Sequence, residues 1–323
     1  MGLIEDLKEK VKVKRPTIVF PEGEDERVLG ACVRLRNERI IQPIVLGKLD
    51  EIKATAEKKN LDIRDLIIIE PENYDDIDTL ADALVERRKG KVSKEEAYEI
   101  LKDVNYFGTL LIYTNRADGM VSGAVHTTGA TVKPALQIIK TKPGFKRTSG
   151  LFILIRGQER YLMADCAINI DLDAEGLAEV AILSDITGRQ FGFDPKIAML
   201  SFSTKGSAAS DEVTKVAEAT RLAKEREPEL NVDGELQFDA AFVPTVAEKK
   251  APGSDVAGRA NTFIFPNLAA GNIGYKIAQR FGGFEAIGPV LQGLNMPVND
   301  LSRGCNEDEV YALSIITAAQ AVL

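Results

Sequence analysis

The chain has 323 residues, 45% of them apolar and 28% charged, a balance typical of a globular protein with a sizeable core. Its net charge of −8 excludes a general nucleic-acid binder and a basic membrane-surface protein, although a local arginine cluster still permits an anionic ligand. One histidine and three widely spaced cysteines exclude multi-histidine metal sites, zinc ribbons and paired redox cysteines.

Length and segment hydropathy set the expected class and location. A length of 323 residues favours two domains. The opening MGLIEDLKEKVKVKR is charged throughout, and the aliphatic run LFILI is far shorter than the roughly 18 residues of a membrane span. We therefore expect a cytoplasmic protein with no membrane or nucleic-acid partner.

In the first half, strand-like and helix-like patterns alternate. Helices are predicted at 1–12, 26–38, 76–89, 93–103 and 131–141, the last with Pro134 in its first turn. Strands are predicted at 17–25, 41–47 and 66–71, and a strand with its turn at 117–125. The acidic turn 21–27 is interpreted as solvated.

The pattern resets at the basic stretch 142–150, and a second block follows. Its predicted strands are 151–155, 166–170, 197–202, 238–243 and 261–266, and its predicted helices are 174–191 and 210–226. A Gly/Pro-rich loop and one helix end the chain. This alternation predicts an α/β fold of two domains with mainly parallel sheets, and a cleft between two such blocks is a favoured ligand site.

The strongest local signal is the loop–helix junction at 301–320. Asn306 and Glu309 have the spacing of a capping box, and Ser302 and Arg303 stand just before it. A hydroxyl and a cation beside free helix N–H groups make a phosphate cradle. The alternative is a helix cap with a surface arginine.

A second segment, GAVHTTGATVKPAL, carries the only histidine, His126, and two threonines, Thr127 and Thr128. Its hydroxyls and backbone N–H groups are candidates for binding an oxyanion. The alternative is an N-capped helix with a structural histidine.

Two weaker segments carry polar side chains. In 253–276 a glycine-rich turn with Asn272 follows a strand and leads into a helix that carries Lys276, either as a ligand site or as polar caps. In VERRKGK, Arg87 and Arg88 offer a phosphate site or a solvated helix end.

The stretches ADGMVSGAVHTTGATVKPALQIIKTKPG, KAPGSDVAGRANTFIFPNLAAGNIGYK and EAIGPVLQGLNMPVNDLSRGCNEDEV together resemble the phosphate acetyltransferase (phosphotransacetylase) family, in its order and over most of the chain. The resemblance implies reversible conversion of acetyl-CoA and phosphate into acetyl phosphate and CoA. It also implies a homodimer, an active cleft between two α/β domains, a first domain of 1–143 with 289–323, and a second of 144–288.

Ser302 and Arg303 match the active-site Ser-Arg pair of the family. In the family this arginine binds the phosphoryl group, and the resemblance implies the same role for Arg303. Arg88 matches an arginine assigned to CoA, with Arg87 as the rival in register. The chain departs from the family at two positions: Lys133 replaces a common Arg, and Glu309 replaces the Asp proposed as the base.

The residues also fit this reaction chemically. Glu309 is the predicted base for the CoA thiol, with Asp308 as the rival in register. Ser302 and Thr127 are predicted donors to the tetrahedral oxyanion. Leaving phosphate needs cations, and Arg303 is the predicted one, with Lys133 or Lys276 as a helper. A direct transfer in a ternary complex, without metal or prosthetic group, is expected.

Two hypotheses from other classes stay open. A decarboxylating dehydrogenase of the isocitrate type also has two α/β blocks, but it needs an acidic metal cluster that the sequence does not show. A non-catalytic regulator that binds acetyl phosphate or CoA would tolerate Lys133 and Glu309.

Overall fold

The structure is a computed structural model that describes residues 2–323. It divides into two compact α/β units. The first runs to Lys142 and resumes at Leu294, and the second is Pro143–Gly293. The expected boundary is residue 289, whereas the chain returns to the first unit at Leu294. The second unit extends further because β10, Glu285–Gln292, pairs with its strand β5, Ser149–Arg156.

The first unit is built on a fully parallel sheet in the order β11-β4-β1-β2-β3. Its strands are β1 Thr17–Phe20, β2 Gln42–Leu46, β3 Ile67–Ile69, β4 Gly119–Ser122 and β11 Val298–Asp300. Its helices are α1 Leu3–Lys12, α2 Glu26–Asn37, α3 Leu49–Lys59, α4 Ile77–Arg87, α5 Lys94–Ile100, α6 Val104–Tyr113, α7 Thr128–Ile138 and α13 Glu307–Val322. A short 3₁₀ turn occupies Pro71–Asn73.

The terminal helix α13 belongs to the first unit. It packs against α1, α2 and β4. One face of the helix, formed by Val310, Leu313, Ile316 and Thr317, is buried. Each large apolar side chain that is buried in this way contributes about 1.5–3 kcal/mol.

The second unit has a mixed, mainly parallel sheet in the order β10-β5-β6-β9-β7-β8. The remaining strands are β6 Glu159–Ala164, β7 Ile197–Leu200, β8 Val232–Leu236 and β9 Thr262–Ile264. The helices are α8 Ala174–Gln190, α9 Asp211–Arg226, α10 Phe238–Phe242, α11 Pro244–Lys250 and α12 Leu268–Gly282.

Two predicted strands are wrong. Residues 166–170 form a turn, because the Asp165 carboxylate accepts the backbone N–H groups of Gly150, Ala167, Ile168 and Asn169. Residues 238–243 form α10 instead of a strand.

The apolar run FDAAFV folds as a helix in which the two phenylalanines share one face. Phe238 and Phe242 stack on one helix face with ring centroids 5.6 Å apart, while Ala240 and Ala241 are buried on the other. Apolar content alone cannot distinguish this pattern from a buried strand.

Helix α7 begins three residues earlier than predicted. The Thr127 hydroxyl accepts the N–H of Ala130 and caps the helix, so Thr128 is its first residue. Pro134 therefore lies inside the helix rather than in its first turn.

The sequence patterns do not predict α3, α6, β6, β8, α11, β10 or β11. β10 contains Gly288 and Pro289 at a register irregularity, and β11 is a three-residue strand with two polar side chains. Both therefore have loop-like sequences. Among residues 2–323, the structure contains no helix with the length and apolar character needed to cross a membrane.

Candidate functional site

The junction between β11 and α13 contains the predicted capping box. The Asn306 side chain accepts the N–H of Glu309, and the Glu309 carboxylate accepts the N–H of Asn306, each at 2.9 Å. Ser302 and Arg303 are exposed on the turn before it, where the Ser302 carbonyl accepts the N–H of Cys305. Within residues 2–323 the guanidinium of Arg303 has no hydrogen bond or ion pair, so it is available to an anion.

The loop after β4 is held by a carboxylate from a neighbouring strand. Glu22 follows β1, is buried, and accepts four successive backbone N–H groups, those of Gly123, Ala124, Val125 and His126, at 2.7–3.0 Å. Such a row of amides is an anion-binding nest. Here the chain's own carboxylate fills it.

This arrangement corrects two expectations. The turn 21–27 is not wholly solvated, because Glu22 is 3% exposed. The N–H groups of residues 123–126 do not serve as oxyanion donors, because they are already bound to Glu22. Thr127 caps α7 through its hydroxyl and is exposed.

His126 lies against the same carboxylate. Its Nδ1 is 2.8 Å from Glu22 Oε1, an ion-pair contact when the imidazole is protonated. The Glu22 carboxylate raises the pKa of His126 against the opposing effect of burial. Burial disfavours the charged form of Glu22, but His126 and the backbone amides outweigh it and lower the pKa of Glu22.

Arg27 connects these two loops through their main chains. Its guanidinium donates to the carbonyls of Arg303 and Cys305, both at 2.9 Å, and to the carbonyl of Ala124 at 2.8 Å. Asp25 balances the charge through Nε and Nη2. The Ser302–Arg303 turn and the loop that carries His126 are therefore fixed side by side.

A second buried carboxyl, Asp300, ends β11. Its Oδ2 accepts the Thr128 hydroxyl at 2.6 Å, whereas its Oδ1 is buried without a partner in the described chain. Gly123 has a φ of +109°, and a Cβ there would lie 2.4 Å from Asp300 Oδ1, so only glycine fits. Burial raises the pKa of Asp300 to about 6.

Asp300→Asn is expected to stabilise the protein above pH 6. The folded-state pKa exceeds the unfolded value, so the protonated carboxyl favours folding below about pH 4, and that benefit is lost as pH rises through 6. In urea unfolding, the stability gained by the variant over the wild type should grow from near zero at low pH to about 1–3 kcal/mol at pH 8. A gain that does not change with pH would contradict this assignment.

The two arginines at the end of α4 have different environments. Arg87 donates to the carbonyls of Ile138 and Ile139 and lies over the ring of Tyr113, so it serves the end of α7. Arg88 has no such bond within residues 2–323. The pKa of nearby Lys140 is lowered chiefly by Arg87, with Lys89, Arg88 and Lys91 contributing, which marks an uncompensated positive surface.

The other predicted ligands lie on helices. Lys133 is exposed on α7. Asn272 and Lys276 lie on α12 of the second unit, where the Asn272 amide donates to the Cys166 carbonyl at 3.2 Å and Lys276 is exposed. Their role in binding phosphate stays a prediction.

Sequence reasoning missed Glu22, Arg27 and Asp300. Glu22 and Asp300 stand at the carboxyl ends of β1 and β11, where open parallel sheets bind ligands, so their position was an available signal. Arg27 acts through carbonyl groups of remote loops, which no local pattern reveals. Within residues 2–323, no three His, Cys, Asp or Glu side chains come together as a metal site.

Comparison with known proteins gives the family. The model of the phosphate acetyl/butaryl transferase family matches residues 2–318. The phosphate acetyltransferases of Staphylococcus epidermidis and Bacillus subtilis are 60% and 59% identical to this chain, over 99% of both chains in each case. The crystal structure of a phosphotransacetylase from Streptococcus pyogenes covers 100% of this chain and 99% of its own, at 56% identity and a TM-score of 0.97. The chain belongs to the phosphate acetyl/butaryl transferase family.

Proposed function

We propose that the chain transfers an acetyl group reversibly between CoA and inorganic phosphate, by direct attack of the CoA sulfur on acetyl phosphate in a ternary complex. Full-length identity of about 60% to phosphate acetyltransferases supports the transfer. The observation that carries the proposed site is the turn at 302–309, which presents a free guanidinium and an exposed carboxylate.

The residues of the first unit divide into three proposed roles. Arg303 binds the phosphoryl group, assisted by His126, Thr127, Thr128 and Lys133. Ser302 donates its hydroxyl to the oxyanion of the tetrahedral intermediate. Glu309 takes the proton of the CoA thiol, whose free pKa is about 8.5 like that of cysteine.

Cys305 does not serve as the nucleophile in this proposal. Burial raises the pKa of its thiol to about 11, so the thiolate is scarce at neutral pH. Holding acetyl phosphate and CoA in contact supplies roughly 7–11 kcal/mol, which favours direct transfer without a further cofactor.

An assay of wild-type protein tests the function. Acetyl phosphate and CoA should give acetyl-CoA, which is measured by the absorbance of its thioester. The kcat/KM for acetyl phosphate should be higher than that for butyryl phosphate. A regulator would bind either compound without turnover, and a dehydrogenase would leave both unchanged. Absence of thioester from folded protein would contradict the proposal.

Arg88→Ala should raise the KM for CoA about tenfold and change kcat little. The proposed contact is remote from the sulfur, so it contributes equally to ground state and transition state. Steady-state kinetics with each substrate varied provide the measurement, and Arg64→Ala, which removes an exposed arginine of the same unit, is the control. A raised KM for acetyl phosphate instead would reassign Arg88.

We further propose a homodimer that uses one face of α12. Ile273, Ile277 and Phe281 are spaced four residues apart and are 58%, 51% and 91% exposed, a stripe that a second copy would cover. Phe281→Glu should give a monomer in sedimentation velocity while the wild type sediments as a dimer. A dimeric variant would exclude this face.

The proposed location is the cytoplasm. Cys32, Cys166 and Cys305 are free and buried, as expected for a protein in a reducing compartment.

A further inference from the structure

The proposed roles include His126 but do not explain Glu22, the carboxylate with which it pairs. Glu22 is buried, yet it is the carboxylate that binds the 123–126 loop through four backbone N–H groups. His126 Nδ1 is held against that carboxylate. Its Nε2 has no partner within residues 2–323, and the side chain is 35% exposed.

We propose that Glu22 is a positioning residue that fixes the His126 imidazole as a cation, so that Nε2–H binds an oxygen of the phosphate or acetyl phosphate. The proposal rests on the proposed acetyl transfer and adds a residue to it. Glu22 touches no substrate and acts only through His126 and its loop.

Three observations support this role. Four N–H donors and an imidazole compensate the buried charge of Glu22, which keeps the carboxylate ionised. An ionised Glu22 at 2.8 Å favours protonated His126. Arg27, which bonds the carbonyls of both loops, holds the His126 loop beside the Ser302–Arg303 turn.

The other charged groups near the pair are few. Asp103 and Glu24 also favour the charged imidazole, with smaller effects than that of Glu22. Around Glu22 lie Arg27, Asp300 and Cys305, each of which interacts with its charge. Phosphate, an anion at Nε2, should therefore stabilise the imidazolium further.

The chain's single histidine permits a direct test. Protein made without a histidine tag and labelled with ¹³C-histidine gives one set of imidazole NMR signals, titrated from about pH 5 to about pH 9. The midpoint should lie above 6.5, the ordinary value, and inorganic phosphate should raise it further. A midpoint at or below 6.5, or one that phosphate leaves unchanged, would overturn the proposal.

Glu22→Gln should lower this midpoint to 6.5 or below, because burial of the imidazole remains while the charge is lost. The KM for acetyl phosphate should rise about tenfold at neutral pH with a small change in kcat. In the wild type this KM should rise with pH as His126 loses its proton. In Glu22→Gln the rise should occur at lower pH, by the same amount as the NMR midpoint is lowered. If Glu22 had a purely structural role, the pH dependence of the KM would not follow the NMR midpoint of His126.

Glu24→Gln is the matched control, since it removes the next carboxylate of the same turn and keeps the bond to Lys48. It should change the midpoint less than Glu22→Gln does. If Glu22→Gln does not fold, His126→Gln decides, because it leaves Glu22 and its four amides in place. His126→Gln should raise the KM for acetyl phosphate about as much as expected for Glu22→Gln, and the KM should no longer depend on pH. An unchanged KM would overturn the proposal.

The failure of the two proposals can be told apart. Wild-type protein that makes no acetyl-CoA but shows the phosphate-dependent rise of the His126 midpoint would contradict the acetyl transfer alone. Active protein without that rise would contradict the role of Glu22 alone.

Discussion

Arg303→Ala is expected to lower kcat/KM for acetyl phosphate by at least about a hundredfold and to leave the fold intact. A charged contact to a desolvated phosphoryl group contributes roughly 3–5 kcal/mol to the transition state. The Arg303 side chain makes no hydrogen bond or ion pair within residues 2–323. Its backbone carbonyl, which accepts a hydrogen bond from Arg27, is still present in the alanine variant. Loss of activity should therefore occur without loss of thermal stability.

Two further variants sharpen this result. Arg303→Lys keeps the charge and loses the planar fork, so it should recover part of the activity. Arg64→Ala should retain full activity because it removes an exposed arginine that is paired with Asp62. Near-normal turnover of a folded Arg303→Ala protein would remove this guanidinium from the mechanism.

Glu309→Gln is expected to lower kcat by about 10²–10⁴ with little change in stability. Only Oε2 is engaged in the capping box, and Oε1 has no partner within residues 2–323, so it can accept the thiol proton. Glutamine can still accept the Asn306 N–H, so the cap is kept. Activity should partly recover at higher pH, where free thiolate is more abundant.

The adjacent carboxylate is the matched control. Asp308 is paired with Arg34 at 2.7 Å, which occupies its carboxylate, and Asp308→Asn should keep wild-type kcat. Glu309→Asp should retain activity if the shorter carboxylate common in the family is equivalent. If Glu309→Gln is fully active and Asp308→Asn is not, the base is Asp308.

Local interactions explain what could be predicted from the sequence. The capping box of Asn306 and Glu309 depends on side chains three residues apart, and it is confirmed at both hydrogen bonds. The apolar strands LFILI and IAML lie in the second sheet, since continuous apolar runs are typical of strands covered on both faces.

Interactions between distant segments explain what could not. In the sequence, Glu22 belongs to an acidic turn that predicts a solvated side chain. The pairing of β1 with β4 instead places the amides of residues 123–126 at its carboxylate. Asp165 likewise turns the chain at 166–170 by accepting N–H groups, one of them from Gly150, although the apolar composition there favours a strand. In both cases tertiary structure overrides a local pattern.

The discontinuous first unit has a consequence for biosynthesis. β11 and α13, with Ser302, Arg303 and Glu309, are translated only after all of Pro143–Gly293. Because domains generally fold as units during synthesis, the second unit can complete its sheet on the ribosome while the first still lacks the edge strand beside β4. The turn that we propose to bind phosphate is thus assembled last, and an unfinished nascent chain presents His126 and Arg88 without it.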